Sequence, residues 1–596
     1  MKRMIWLPTT LMLSIGLSQV GAEPKTLLFS PISPEYLEAS APEWAGIGFN
    51  GFLLSGIMHN WDSDVWAVDK DPETRGIADE TLQRVRKCCQ ACRAAGIEDN
   101  FIKVAFYSHL PDWFDDDGWQ ELTENFRNAA EFARLAGMRG IAIDIEYIMD
   151  TYHVYWKGYK EKQYNAEALC AKALERGYQM IAPMYDEFPD MVLLTLPEGI
   201  YYYGPLAVNL TIGFIQAAAK RDAPGGVHIL TEGTYAERDP IRLLSHISQV
   251  DGQLRDVLPP NLLEYWWKRG SIAIGCWPLG YYRELYDENG KQIGYGGKRE
   301  KFGDENIGSY GDKSCNYPPD EFAAQYAFTT TFTRSYNWIY AHGATWWQFN
   351  EEEAKRFNGR NNDRLPVDER LDDFKEIVRR KPRLSDPVLS GIAREYCATG
   401  RMQVADRFGL IKDWLVLGPF ENEGDPPNRN SAFRKALIDT ERTRFPQTVT
   451  TEDGRSMTWQ LCHANPQSGY VNMMPVFDPN IWISYVALCY VHSPTKRAAQ
   501  LRTGSNDGIA VWVNGEKLYE VNRKRGPIID DDIINIVLPA GTSSILLQVC
   551  QMSGTTGFYA RITDSHGELF DDVSVGSEQW AVRTGLGVWN GVCVSV

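Results

Sequence analysis

The sequence predicts a (β/α)8 barrel followed by an all-β sandwich. Three observations carry that prediction. From about residue 25 to 385, short β-type runs alternate with helical stretches, over the roughly 250–350 residues such a barrel takes. Several runs divide at alternate positions into two faces of different chemistry, as the side chains of a strand do. After Lys381-Pro382 the helices give way to strand-like segments separated by turn signals.

In chain order the eight strands are Thr26–Ile32, Phe52–His59, Phe101–His109, Gly140–Ile148, Val192–Glu198, Val227–Tyr235, Ser271–Trp277 and Ala344–Asn350. Helical stretches between them include Thr81–Ala95, Trp119–Ala136, Ala166–Phe188, Leu206–Arg221 and Glu321–Ala341. Parity assigns an inward face to five of the strands. The third presents Lys103, Ala105, Tyr107 and His109, and the fourth Gly140, Ala142, Asp144 and Glu146. The sixth presents His228, Leu230, Glu232 and Thr234, the seventh Ser271, Ala273, Gly275 and Trp277, and the eighth Ala344, Trp346, Gln348 and Asn350. Small residues come early in several of these, and polar or aromatic ones late. A closed barrel fills its interior with bulky branched side chains, so small residues under a polar rim read as a pocket floor.

Beyond the barrel, Trp414–Phe420, Trp482–Val491, Ile509–Val513 and Ser544–Cys550 are strand-like, with turns at Ser505-Asn-Asp-Gly508, Val513-Asn-Gly515 and Pro539-Ala-Gly541. The expected division is a signal peptide over 1–22, a catalytic barrel over 23–385, a linker with a short helical stretch over 386–404, the sandwich over 405–575 and a C-terminal segment over 576–596. Lys381-Pro-Arg-Leu-Ser-Asp-Pro387 marks the boundary, since boundaries favour exposed Pro-rich segments. Lys2 and Arg3, the apolar run Ile5–Leu17 and the small residues Val20-Gly-Ala22 read as a secretory signal. The run is too short to span a bilayer. A secreted or periplasmic protein without a membrane span is expected.

A net charge of −17 argues against nucleic acid, whose phosphates need a basic surface. The 19 Trp and 29 Tyr suit a sugar binder, and equally the core of a large β-rich chain. With 11 cysteines, at least one thiol is unpaired or all are reduced. Cys88, Cys89 and Cys92 read as small hydrophobes on a helix face. No Gly-rich phosphate loop, His-Glu-x-x-His motif or serine elbow occurs, so neither metal nor cofactor is expected.

Chemistry concentrates in Gly140-Ile-Ala-Ile-Asp-Ile-Glu-Tyr147. One face carries Ile141, Ile143, Ile145 and Tyr147; the other aims Asp144 and Glu146 from the strand's C-terminal end, where barrel active sites lie. The two acids stand about 6.5–7 Å apart along the strand. Glycosidic cleavage needs a proton donor and a second carboxylate. Like charges raise one pKa, so one of the two can hold a proton; Glu146, nearer the rim, is the candidate donor and Asp144 its helper. The bland alternative is a buried ion-pair network with Lys103 or His109. Glu232, at the end of the sixth strand, is the candidate second carboxylate. Glu198, in Leu196-Pro-Glu-Gly199, reads as a substrate contact or a plain loop acid. Tyr107, His109, Tyr235, Trp277, Trp346 and Asn350 are the remaining candidate substrate contacts, with Trp277 and Trp346 as sugar platforms.

This stretch resembles the fourth-strand motif of glycoside hydrolase family 18 chitinases, which ends Asp-x-Asp-x-Glu with the Glu as general acid. Asp144 and Glu146 match its last two acids; Ala142 stands at the first Asp, and Ile145 where that family usually has Trp. Gly343-Ala-Thr-Trp-Trp-Gln-Phe-Asn350 resembles the Trp-bearing last strand of the same family. A pair of acids on the fourth and sixth strands resembles barrel α-galactosidases. Trp414–Phe420 and Thr503-Gly-Ser-Asn-Asp-Gly-Ile-Ala-Val-Trp-Val-Asn-Gly-Glu-Lys517 resemble the galactose-binding-type jelly rolls appended to bacterial carbohydrate enzymes. These resemblances imply a secreted glycoside hydrolase acting on a poly- or oligosaccharide. The alternative is a non-catalytic carbohydrate-binding or scaffold protein on a degenerate barrel.

Overall fold

The structure is a computed structural model. It describes residues 24–30, 32–54, 57, 79–105, 111–145, 164–200, 204–279, 284–286, 292–295, 317–341, 346, 370–421, 437–441, 443, 445–451, 454–477, 482–551 and 555–576.

The first part is a closed (β/α)8 barrel. Its strands are β1 Lys25–Phe29, β2 Gly51–Leu54, β3 Phe101–Ala105, β4 Gly140–Asp144, β5 Val192–Leu196, β6 Val227–Leu230, β7 Ser271–Ala273 (continued by Gly275–Cys276) and β8 Tyr336–Tyr340. Neighbours pair in parallel in that order. β8 closes the ring by pairing with β1 through Lys25↔Tyr336 and with the end of β7 through Trp338↔Gly275. Around it run α1 Pro34–Ile47, α2 Asp79–Ala94, α3 Asp116–Ala136, α4 Ala166–Glu187, α5 Pro205–Ala219, α6 Pro240–Val257, α7 Pro260–Arg269, α8 Pro319–Phe332, α9 Leu371–Arg380 and α10 Pro387–Thr399. Local chemistry starts several of them. The Asp115, Asn165 and Asp239 side chains accept first-turn N–H groups of α3, α4 and α6, and Pro opens α5, α6 and α7.

Strand parity sorts the core into two shells. Ile141, Ile143 and Ile145 join the layer between strands and helices. Ala142 lies in the lumen with Leu27, Phe29, Phe101, Leu194, Leu230, Ala273, Tyr336 and Trp338.

The last strand is not where the sequence suggested. Glu321–Ala341 was expected as one helix and Ala344–Asn350 as the eighth strand. Instead α8 stops at Phe332 and Tyr336–Tyr340 forms β8. Thr329, Thr330, Thr331 and Thr333 crowd the helix end; β-branched residues lose rotamer freedom there, and Thr333 turns extended. The consequence is large. β8 points Tyr336 and Trp338 into the lumen, and the small residues opposite make room for them. A Cβ on Gly275 would lie 2.8 Å from Trp338 Nε1. Gly275 is a socket for the Trp338 ring rather than part of an open floor.

The second part is a β-sandwich. One antiparallel sheet runs Gln460–His463, Asp413–Glu421, Ile483–Ser493, Gly541–Gln551, Gly508–Val513, Glu516–Val521. The other runs Val471–Asn472, Gly557–Thr563, Arg497–Asn506, Asp532–Leu538. Trp414, Tyr485, Leu501, Val511, Leu547 and Phe558 belong to the core between them. The stretch 386–404, expected as a linker, contains α10, which buries Leu389, Ile392 and Tyr396 on the barrel. The Tyr396 hydroxyl accepts the Ile272 N–H at 3.0 Å.

The sandwich docks along one side of α6. Arg242 pairs with Asp531 at 2.5 Å, Ser245 Oγ accepts the Ile529 N–H at 3.0 Å, and Gln249 Nε2 donates to the Pro527 carbonyl at 2.7 Å. Helical spacing puts these three positions on adjacent turns of one face. Ile529 is buried with the barrel's helix-layer residues.

Among the described residues no helix is long and apolar enough to cross a membrane, and no His/Cys/Asp/Glu group could hold a metal. The described cysteines are all free thiols, with Cys88, Cys89 and Cys92 buried on α2.

One buried acid makes folding pH-dependent. Burial pushes Asp251 of α6 up to about 7, against the lowering pull of the Met402 N–H and nearby Arg255 and Arg334. The unfolded carboxyl titrates near 3.9. Between those values the folded state holds a proton that the unfolded state has lost, so this contribution falls as pH rises from about 4 to 7. The loss amounts to ~4 kcal/mol at most. Asp251→Asn is expected to leave stability near parental at pH 4–5 and to raise it at pH 8, read from urea unfolding at both values.

Candidate active site

The C-terminal ends of β3 and β4 meet in the lumen. Lys103 Nζ lies 2.7 Å from Asp144 Oδ2, and both side chains are buried. The ammonium also sits 4.8 Å from the centre of the Phe29 ring. Register explains the meeting: Lys103 pairs with Ala142, and Ala105 with Asp144, so both side chains enter the lumen at neighbouring levels. Asp144, the expected helper of Glu146, is paired with Lys103, one of the two partners the sequence had offered for an ion pair. Glu146, Tyr107, His109 and Asn350 lie outside the described residues.

β6 ends in a compact loop, Thr231–Glu237. The Thr231 and Thr234 hydroxyls bond each other at 2.7 Å, and both contact the backbone of Gly275. Gln325 Nε2 of α8 donates to the Thr234 carbonyl at 2.9 Å, and the Tyr317 hydroxyl donates to the Tyr235 carbonyl at 3.1 Å. Beneath the loop lies Glu198, two residues past β5 and 2% exposed. Its Oε2 accepts the Glu232 N–H at 2.7 Å. Its Oε1 accepts the Gly233 N–H at 3.0 Å and bonds His246 Nε2 of α6 at 2.7 Å. Burial alone would raise this carboxyl, but His246 and the amide N–H groups outweigh it and hold Glu198 below its usual range. Glu198, expected as a substrate contact, is a buried anchor of the loop.

The loop presents Glu232 and Tyr235, both partly exposed, at the mouth. Tyr235 stacks on Tyr340 with ring centres 5.5 Å apart and meets Trp277 edge-on at 5.5 Å. Trp277 and Tyr340 are 4.8 Å apart, and Trp338 lies 5.2 Å from Tyr235. These rings form a wall beside Glu232. β4 and β6 flank β5, so the backbones near Asp144 and Glu232 are two strand spacings apart, roughly 10 Å.

No protein-family model matches the chain, and no curated protein matches it. Among solved structures it is similar to a glucosidase from Croceicoccus marinus, at 8% identity and TM-score 0.30 over 90% of this chain and 97% of that one. It is similar to chitinase ChiA74 from Bacillus thuringiensis at 10% identity and TM-score 0.30, over 91% and 100%. It is also similar to a D-allulose 3-epimerase from Methylomonas sp. at 9% identity and TM-score 0.29, over 60% and 98%. Likeness at this level says nothing about which reaction the mouth supports; that rests on its residues.

Trp346 does not belong to the wall. It is fully buried behind the barrel, with ring centres 5.8 Å from Phe49, 6.4 Å from Phe322 and 6.3 Å from Phe374. A sugar cannot stack on it there. Tyr340 takes that place; the sequence reading missed it because it assigned residue 340 to a helix. His246 was missed as well, since nothing local marks a helical histidine as the partner of an acid 48 residues earlier. Chemically, the mouth combines one acidic residue with a group of partly exposed aromatic rings, a composition that suits a ligand with hydroxyl edges and apolar faces.

Proposed function

We propose that the protein is a glycoside hydrolase acting on a poly- or oligosaccharide, with Glu232 as one of its two working carboxylates and Glu146 as the proton donor. The observation that carries the reading is the placement of Glu232: its backbone amide is held by Glu198 in the loop that leaves β6 at the C-terminal mouth of the barrel, and the same loop carries Tyr235 against Trp277 and Tyr340. Glu146 enters by parity, two residues beyond inward-facing Asp144. Asp144 pairs with Lys103 on the same face. The export signal over residues 1–22 and a galactose-binding-like role for the sandwich belong to the same proposal, as an extracytoplasmic enzyme with an accessory module.

A panel of polysaccharides offered to the purified protein, to Glu232→Gln and to Glu146→Gln is the test. Cleavage by the parent and not by the variants supports the reading. Binding without cleavage by all three would overturn it in favour of a carbohydrate-binding scaffold. A companion expectation concerns the wall. Trp277→Ala should raise KM by about 5–10-fold with kcat within ~3-fold, since a stacked ring contributes ~1 kcal/mol and binds ground and transition states alike. Steady-state kinetics on the cleaved glycan checks this.

A further inference from the structure

We infer that Glu198 and His246 are positioning residues: together they clamp the loop that carries Glu232 and set where its carboxylate stands. The catalytic meaning of the clamp rests on the proposed role of Glu232; the clamp itself does not.

Glu198 is buried, and a buried carboxylate must be compensated by donors. Its donors come from two elements. The loop supplies the consecutive N–H groups of Glu232 and Gly233, and α6 supplies His246. One carboxylate therefore ties the loop after β6 to the helix that follows it. The fit is close at Gly233, where a Cβ would stand 2.4 Å from His246 Cε1 and 2.8 Å from Glu198 Oε1. The neighbouring face of α6, one turn from His246, is braced in turn by the sandwich, through Arg242–Asp531 and Ser245–Ile529. Contacts thus run unbroken from the sandwich through α6 to the amide of Glu232. A carboxylate displaced by ~1 Å can lose ~10²-fold in rate, so a clamp on its own backbone amide acts on turnover rather than on binding.

The test is Glu198→Gln and His246→Ala in the full chain, with His246→Gln as the conservative partner that still offers Glu198 an N–H. Two quantities are read: hydrogen exchange at the Glu232 and Gly233 amides, and kcat and KM on the cleaved glycan. Glu198→Gln puts an amide donor where an oxygen accepted, so exchange at these two amides should quicken at least ~10-fold. Turnover should fall ~10–100-fold with KM within ~3-fold. His246→Ala should move both in the same direction, and His246→Gln should restore both towards parental. Unchanged exchange at these amides in Glu198→Gln and His246→Ala would overturn the clamp. So would exchange quickened evenly across the barrel, the mark of a merely structural role. Quickened local exchange with parental kcat would overturn positioning. If the parent cleaves no glycan, the proposed function fails, and the exchange measurements still decide the clamp.

Discussion

Glu232→Gln is expected to lower glycan turnover by ~10²–10⁴-fold, the usual contribution of a positioned acid or base. The fold should survive, because the anchor of the loop is the backbone N–H of residue 232, which the substitution leaves in place on Glu198. Only the carboxylate at the mouth changes. Glu146→Gln should produce a loss of similar size on natural glycans. The two variants part on substrates with a very acidic leaving group. Such a group departs without a proton, so Glu146→Gln should recover most of its rate there while Glu232→Gln should not. Comparing an aryl glycoside with a natural glycan separates the roles. Parental rates in Glu232→Gln on both substrates would remove it from the site.

The second large effect is on stability. Asp144→Leu should cost ~3–5 kcal/mol, because it leaves the Lys103 ammonium buried without its counter-charge. Lys103→Met should cost a comparable amount by stranding the carboxylate. The pair is what matters, so the double variant Lys103→Met/Asp144→Leu should recover most of the loss, since apolar residues can replace a buried ion pair at little cost. The lumen suits the exchange, with Phe29 and Ala142 already there. Chemical denaturation of the four proteins at neutral pH completes the cycle. Additive losses would mean that Lys103 and Asp144 do not act on each other.

Asp144 also shows how far a sequence argument reaches. The division of Gly140–Tyr147 into two faces follows from the two-residue period of a strand, and the structure puts Ile141, Ile143 and Ile145 against the helices with Ala142 inside. Periodicity says which way a side chain points. It does not say what stands opposite. That Asp144 meets Lys103 was decided by the register of β3 on β4.

The eighth strand shows a second boundary. Glu321–Ala341 carries apolar residues at a density that reads as helix. Its end became β8 because a barrel needs a strand to bridge β7 and β1, and Tyr336–Tyr340 pairs with both. Trp346 and Glu198 followed the same logic: their residue types suit a sugar site, but burial placed one behind the barrel and the other under a loop.

The sequence alone therefore determined the alternation of strands and helices, the change from a barrel to a sandwich, the inward parity of β4 and the candidacy of Glu232. Each of these is a local property, set by side-chain period, turn residues and chain order. Tertiary structure alone decided that Glu198 holds the Glu232 amide and His246, that Lys103 neutralises Asp144, and that Trp338 and Tyr340 fill the lumen and the wall. Those contacts join residues from tens to more than a hundred positions apart, and only closure of the barrel brings them within reach.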